Sequence, residues 1–420
     1  MNISEGNNSQ NYLLKLLKRG QFVFYTSLIE KSIYFLIFII LARKYSTSEY
    51  GSFISVFVLS NILISLFELG FGNYFQRTAA SDKYKLAEEF NSAFTFRLLT
   101  YLLILLLSFI YYSAESIDKA LLVIIITAFF IFNTNWLLIK IFYGLNQYRS
   151  VFIKFLISRF ILIVCSIILL YVNASLTFFS LSYFISALSE FVLLFLQTIR
   201  LKLFKFNLDL NFDVLKRIFF SSIPMGLGMF FVMIYDRVDV LLIQKIIDDT
   251  AVGIYSVAYS LYKIPQIFIL IILTPLFTDL SNEFGFNGKI KFQRIQKLGL
   301  TFILFSIISI IIFFFLSESM IGLIYGDKYL SSAPILKLIV LSLPFLLLNN
   351  LTGVTLNSIG KEKFVFYSTL AAALINLTLN LFLLITVGLF GAIVSTILTE
   401  LLVFMIQLYY IIKFKSAVII

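Results

Sequence analysis

A chain of 420 residues could make two or three soluble domains, but 60% of these residues are hydrophobic and only 13% are charged. Soluble domains run at about 45–50% apolar and about 25% charged, so composition excludes a soluble enzyme, a disordered chain and a large extramembrane catalytic domain. The net charge of +11, in a chain of mean hydropathy +0.99, fits basic cytoplasmic loops better than a nucleic-acid surface.

Polar residues run to about Arg19, and an apolar block then extends from Phe22 to Leu41 with no small-residue cleavage site. A secretory apolar core is shorter, so this block is expected to stay as the first span. Eleven more blocks of about 20 residues follow. The twelve predicted helices lie near 22–41, 51–71, 93–112, 120–143, 152–172, 177–199, 218–244, 252–277, 299–317, 333–353, 364–387 and 390–412.

Lys and Arg alternate between the connections. Starting from a cytoplasmic N-terminus, one side collects Lys15, Lys18, Arg19, Arg77, Lys83, Lys85, Arg149, Arg200, Lys202, Lys205, Lys216, Arg217, Lys289, Lys291, Arg294, Lys297, Lys361, Lys363, Lys413 and Lys415. The other side collects Arg43, Lys44, Lys119, Lys245 and Lys328. Twenty against five predicts that both termini are cytoplasmic.

The two halves resemble each other. RKYSTSEYGSFISVF at 43–57 and KIIDDTAVGIYSVAY at 245–259 stand 202 residues apart, and each opens a span with Gly51 or Gly253. GLNQYRSVF at 144–152 pairs with TLNSIGKEKFVF at 355–366. A duplication of six spans predicts an all-α integral membrane protein with two six-helix lobes around a central cavity. The lobes are expected at 1–205 and 206–420, joined through the basic stretch 200–217. The five prolines, Pro224, Pro265, Pro275, Pro334 and Pro344, all lie in the second half, where they should bend spans 7 and 8. Close packing by small residues is the plainer use of Gly226 and Gly228 beside Pro224.

There is no His, and Cys165 is the lone Cys. Ser-His and Cys-His catalysis, His zinc sites and an intrachain disulfide are therefore excluded. A phosphate-binding Gly-Lys loop is missing as well, so no cofactor is expected. The 49 Phe and 23 Tyr read mainly as lipid-facing and interfacial residues.

Charges inside spans carry the functional signal, because each costs about 2.5–3.5 kcal/mol at mid-membrane. Glu30 and Lys31 lie in span 1, Arg97 in span 3, Lys140 in span 4, Arg159 in span 5 and Glu190 in span 6. Asp236, Arg237 and Asp239 lie in span 7, Lys263 in span 8 and Glu400 in span 12. Lys31, Arg159, Arg237 and Lys263 are candidate cavity cations for an anionic group such as a phosphate. Arg97 and Lys140 sit nearer the interface, within snorkelling reach. Glu30, Glu190, Asp236 and Asp239 are candidate ion-coupling carboxylates, with Glu400 a more distant choice. Asp236 and Asp239 share a helix face, whereas Asp236 and Arg237, like Glu30 and Lys31, diverge by about 100°. Neither adjacent pair is expected to neutralise itself, so partners must come from other helices, water or substrate.

LARKYSTSEYGSFISVF at 41–57, FELGFGNYFQRTAA at 67–80 and DRVDVLLIQKIIDDTAVGIYSVAYSLYKIPQIF at 236–268 resemble polysaccharide exporters. So do IYGDKYLSSAPILKLIVLSLPF at 324–345 and LNSIGKEKFVFYSTLAAALINLTLNLFLL at 356–384. The family is the Wzx-type flippases of O-antigen and related polysaccharides, within the multidrug/oligosaccharidyl-lipid/polysaccharide exporter superfamily. The resemblance implies a V-shaped cavity between two lobes. It also implies alternating-access transfer of an undecaprenyl-pyrophosphate-type oligosaccharide across the bacterial inner membrane, and cationic cavity residues matching those named above. H⁺ or Na⁺ would drive the cycle, and a polysaccharide polymerase would be a partner. The alternatives are a cation-coupled multidrug antiporter of the same superfamily, or a membrane-embedded polysaccharide polymerase or ligase. The former favours a net acidic cavity and the latter a large outer loop.

Overall fold

The structure, a computed structural model, describes residues 3–66, 68, 70–81, 83–111, 118–204 and 207–418. Lys205 lies outside the described residues, as do the side chains of Lys15, Lys18, Arg19, Lys83, Pro224 and Lys415. The described chain is almost entirely helical, as lipid requires: a spanning segment must satisfy its own backbone hydrogen bonds.

The helices are α1 (Ile3–Lys44), α2 (Thr47–Leu66), α3 (Phe71–Ser81), α4 (Lys83–Tyr111), α5 (Lys119–Gly144), α6 (Tyr148–Tyr171), α7 (Leu176–Arg200) and α8 (Phe212–Ile246). They continue as α9 (Asp249–Tyr262), α10 (Ile264–Asn287), α11 (Phe292–Tyr325), α12 (Ser332–Ile339), α13 (Leu343–Ser358), α14 (Glu362–Val387) and α15 (Leu389–Val418). Among the described residues, 11 helical segments are long and apolar enough to cross a membrane, or 12 with the bent pair Phe212–Ser222 and Gly226–Ile246 taken as one. The twelve predicted spans are all present as helices.

Besides the 61° bend in the seventh, three of them are interrupted. The second was expected to reach residue 71, but α2 stops at Leu66. Gly70 then turns the chain at φ 77°, and a separate short helix, α3, buries Phe71, Gly72, Phe75 and Ala79. A Cβ on Gly70 would lie 2.7 Å from the Ser222 carbonyl oxygen, so backbone approach and left-handed φ both require glycine here. The eighth span divides at Lys263, which ends α9 and precedes α10. The tenth divides at the 3₁₀ turn Val340–Ser342. Pro265 and Pro344 occupy the first turns of α10 and α13, where a missing N–H costs nothing. These two prolines restart helices, while Pro275 lies inside α10.

The chain divides into two compact units. One gathers the described residues of Met1–Phe38 with Leu59–Leu227, and the other gathers Ile39–Val58 with Gly228–Ile420. The core of the first packs Phe71 and Phe75 of α3, Phe90 of α4, Leu138 and Phe142 of α5, Leu194 of α7 and Ile218 of α8. In the second, α9 is buried nearly all round, from Ala251 to Tyr262, as expected for a helix packed on every side.

The internal echoes have a structural form. Within the second unit, a Cβ on Gly51 would stand 1.7 Å from the Asp249 carbonyl oxygen, and one on Gly253 would stand 2.4 Å from the Thr47 carbonyl oxygen. The two repeat glycines thus line one backbone-to-backbone crossing, α2 on α9. Next to it, Arg43 donates to the Ile324 carbonyl at 2.8 Å and to the Leu323 carbonyl. Lys328 returns the contact, donating to the carbonyls of Arg43 at 3.1 Å and of Tyr45. The second echo is a pair of helix ends. Asn146 and Gly360 take φ 61° and 70°, and the next amides, Gln147 and Lys361, donate to Phe142 and Leu356 at 2.8 and 2.9 Å. Both follow the left-handed helix-ending motif.

Candidate functional site

In the first unit, Arg159 of α6 is 3% exposed and draws its partners from two other helices. Its Nη2 lies 3.1 Å from Glu30 Oε1 on α1 and 3.6 Å from Glu190 Oε2 on α7. Its Nη1 donates to Ser186 Oγ at 3.2 Å. The guanidinium also lies over Phe132, Phe155 and Tyr34, at 4.9, 5.0 and 5.7 Å from their ring centres. Tyr34 in turn stacks on Tyr183 at 5.9 Å. Glu190 is 1% exposed, whereas the Glu30 side chain is 40% exposed. One buried cation therefore bridges an enclosed carboxylate and an accessible one. A buried charge persists only when paired and hydrogen-bonded: Arg159 is both, through Glu30 and Ser186, while its Nε and Glu190 Oε2 are buried without a hydrogen bond.

The second unit repeats the theme around Asp236 of α8. Lys263, in the break between α9 and α10, reaches Asp236 Oδ1 at 2.5 Å. Tyr259 donates to the same Oδ1 at 2.7 Å and to the Asp236 carbonyl at 2.9 Å. Arg237 Nε lies 3.4 Å from Asp236 Oδ2. This corrects the expectation that adjacent charges diverge too far to pair: the long Arg side chain folds back although the Cβ directions differ. Arg237 and Lys263 both lie against Tyr259, 4.9 and 5.1 Å from that ring centre. The side chains of Arg237, Asp236 and Lys263 stay 39%, 27% and 17% exposed, so this cluster is open where the Arg159 cluster is closed.

Asp239, one turn along α8, accepts from the Tyr255 hydroxyl and from the Val240 amide at 2.8 Å. Thus Asp236 and Asp239, sharing a face as expected, meet Tyr259 and Tyr255 in reverse order, as an antiparallel helix crossing dictates. Glu400 on α15 is buried, with Asn349 donating to its Oε2 at 2.6 Å and to its carbonyl at 2.9 Å. It lies within electrostatic reach of Lys263 and Asp236, so it belongs with this cluster.

Arg97 and Lys140 form a third group, in the first unit. Arg97 is 3% exposed and does not snorkel, contrary to expectation: it faces a small void with Thr100, Tyr101 and Asn133. Residues of α2, α4 and α5 surround that void. Lys140 donates to Asn73 Oδ1 at 3.0 Å and Gln76 Oε1 at 3.3 Å, and lies 4.7 Å from the Trp136 ring centre. Both cations are within reach of the Glu68 carboxylate, which accepts from the amides of Gly70 and Gly72 at 2.9 and 3.1 Å. Lys31 is exposed on α1 and Arg77 exposed on α3.

Glu68, Tyr34, Tyr183, Tyr255, Tyr259 and Asn349 were not singled out from sequence. A signal existed for three of these tyrosines: Tyr255 and Tyr259, with Tyr262, recur at i, i+4 and i+7, one face of a helix. Tyr34 stands four residues from Glu30, also on one face. For Glu68, hidden among turn residues, there was none.

Such buried, interhelical ion groups are costly within long apolar helices and mark candidate functional positions. Solved structures share the fold. The fold is similar to the lipid II flippase MurJ in an inward closed conformation (TM-score 0.74, 15% identity, 93% of this chain and 87% of that one). It is also similar to a multidrug resistance MATE family transporter of the MOP superfamily in an inward-facing conformation (TM-score 0.70, 13% identity, 92% and 96%). A model of the polysaccharide biosynthesis protein family matches residues 16–281; the chain belongs to that family. The MatE family model matches residues 224–382. Among curated proteins, the probable low-salt glycan biosynthesis flippase Agl15 of Haloferax volcanii is 22% identical over 199 residues, 46% of this chain and 41% of that protein. The match therefore spans less than half the length of that relative.

Proposed function

We propose that the protein is a flippase that carries a polyprenyl-pyrophosphate-linked oligosaccharide, an O-antigen or related repeat unit, across the bacterial inner membrane by alternating access. Both termini would be cytoplasmic, and the six-helix lobes 1–205 and 206–420 would each contribute to transport. Family membership supports the polysaccharide pathway, and the names of the matched flippases support a lipid-linked glycan as cargo. The observation that carries the reading is the Lys263–Asp236–Arg237 cluster. It sets two cations on the Asp236 carboxylate, partly exposed, with the buried Asp239 and Glu400 carboxylates beside them. A pyrophosphate, with more charge and more acceptor oxygens than one carboxylate, can take both cations from Asp236 through charge-assisted hydrogen bonds.

Arg159, enclosed between Glu30 and Glu190, suits a different task. Binding H⁺ or Na⁺ at either carboxylate would weaken its hold on Arg159 and so bias the helices α1, α6 and α7 toward another arrangement. Asp236 and Asp239 are the corresponding candidates in the second unit. Lys31 and Lys140 would line the path of the headgroup, and a polysaccharide polymerase would take over the delivered unit.

Deleting the gene in its host and following the sidedness of the lipid-linked repeat unit tests the proposal. Stranding on the cytoplasmic face, restored by wild type but not by expressed Arg237→Ala or Lys263→Ala, is the expected result. Unchanged sidedness and unchanged surface glycan would sink it. The MatE match favours one rival, a cation-coupled drug antiporter. That rival predicts drug sensitivity on deletion with surface glycan intact.

A further inference from the structure

Away from all three charge clusters, α10 and α11 enclose a groove of about 900 Å³. Its two walls differ in chemistry. Ile271, Ile272 and Pro275 on α10 form an exposed apolar wall, while Lys291, Arg294 and Lys297 line the other. These cations recur at every third residue through the start of α11, so they lie as neighbours along one side. Asp279 is the one carboxylate among the described lining residues, and Arg294 engages it at 2.9 Å. Three cations thus face one carboxylate, at the end of two apolar spans where hydrocarbon gives way to water.

A soluble anion would gain nothing from the isoleucine wall, and an aliphatic chain would gain nothing from three cations. A phosphate-headed lipid uses both, and basic pockets between spanning helices are where such headgroups bind. We propose that this groove is a binding site for the phosphate headgroup of an anionic phospholipid, with its acyl chains laid along Ile271, Ile272 and Pro275. The site is separate from the cargo path and holds a lipid of the surrounding bilayer.

The test is native mass spectrometry of the full-length protein released from membranes containing cardiolipin, phosphatidylglycerol and phosphatidylcholine. Wild type should retain cardiolipin in preference to phosphatidylcholine. Lys291→Gln/Arg294→Gln/Lys297→Gln should lower cardiolipin retention about a hundredfold. Lys361→Gln/Lys363→Gln/Lys413→Gln, which removes equal charge at another turn, should leave it unchanged. Ile272→Trp keeps every charge, fills the apolar wall, and should also lower retention. Equal loss in both triple variants would mean diffuse attraction and overturn the proposal. So would full retention in the groove variants, equal retention of phosphatidylcholine, or displacement of cardiolipin by free inorganic phosphate.

Discussion

Gly51 and Gly253, 202 residues apart, each occupy the place where a side chain would strike the backbone at the start of the other's helix: Asp249 for Gly51, Thr47 for Gly253. A repeat visible as sequence has become a near-symmetric helix crossing. Because backbone atoms stand opposite, neither side can yield by changing a rotamer.

Alanine at either position should therefore open the crossing, with an overpacking cost of about 1–3 kcal/mol. Thermal unfolding of the detergent-purified protein reads this directly. The double variant should cost little more than the worse single one, since one separation relieves both clashes. Additive losses would mean that the two glycines act independently.

Arg159 should be the least replaceable charge in the first unit. Arg159→Ala leaves Glu190 enclosed with no cation, and breaking a buried pair in this way costs about 3–5 kcal/mol. Glu30→Gln should cost less than half as much, because the Glu30 side chain is 40% exposed and Glu190 remains with Arg159. Comparing unfolding midpoints of the two variants checks the order.

In the second unit, charge and position can be separated. Exchanging the pair, Asp236→Lys with Lys263→Asp, keeps an ion pair and should recover expression relative to Lys263→Asp alone. It moves the cation from the break in span 8 onto α8, so export of surface glycan should stay at least about tenfold below wild type, the loss of one charge-assisted contact worth about 1.5–3 kcal/mol. Recovery of both expression and export would show that position does not matter.

Asp118 offers a pH signature outside the membrane spans. It caps α5, accepting from the Ala120 amide at 2.8 Å and from the Thr177 hydroxyl. The Thr177 hydroxyl, and then the backbone amides, hold its carboxyl below the ordinary range. A depressed folded-state pKa means the stabilisation is complete above the unfolded value of about 3.9 and is lost as pH falls through the folded value. Asp118→Ala should cost about 1 kcal/mol at neutral pH, and the gap to wild type should narrow below about pH 4. A gap independent of pH would assign the effect to the cap's shape alone.

The sequence by itself determined the twelve spans, the membrane class, the repeat and the positions of the charged residues. Those features are written locally, in runs of apolar side chains long enough to cross a bilayer and in charges costly enough to stand out. Pairing was another matter. Arg159 finds Glu30 129 residues away, and Glu400, which looked remote along the chain, lies within electrostatic reach of Lys263. Asp236 takes its neighbour Arg237 as well as Lys263. Which partner each charge meets depends on how every helix is rotated about its axis and where Gly70, Lys263 and the 3₁₀ turn break the spans. Hydropathy carries little of that rotation in helices that are apolar nearly all round. Only packing, side chain against side chain, decides it.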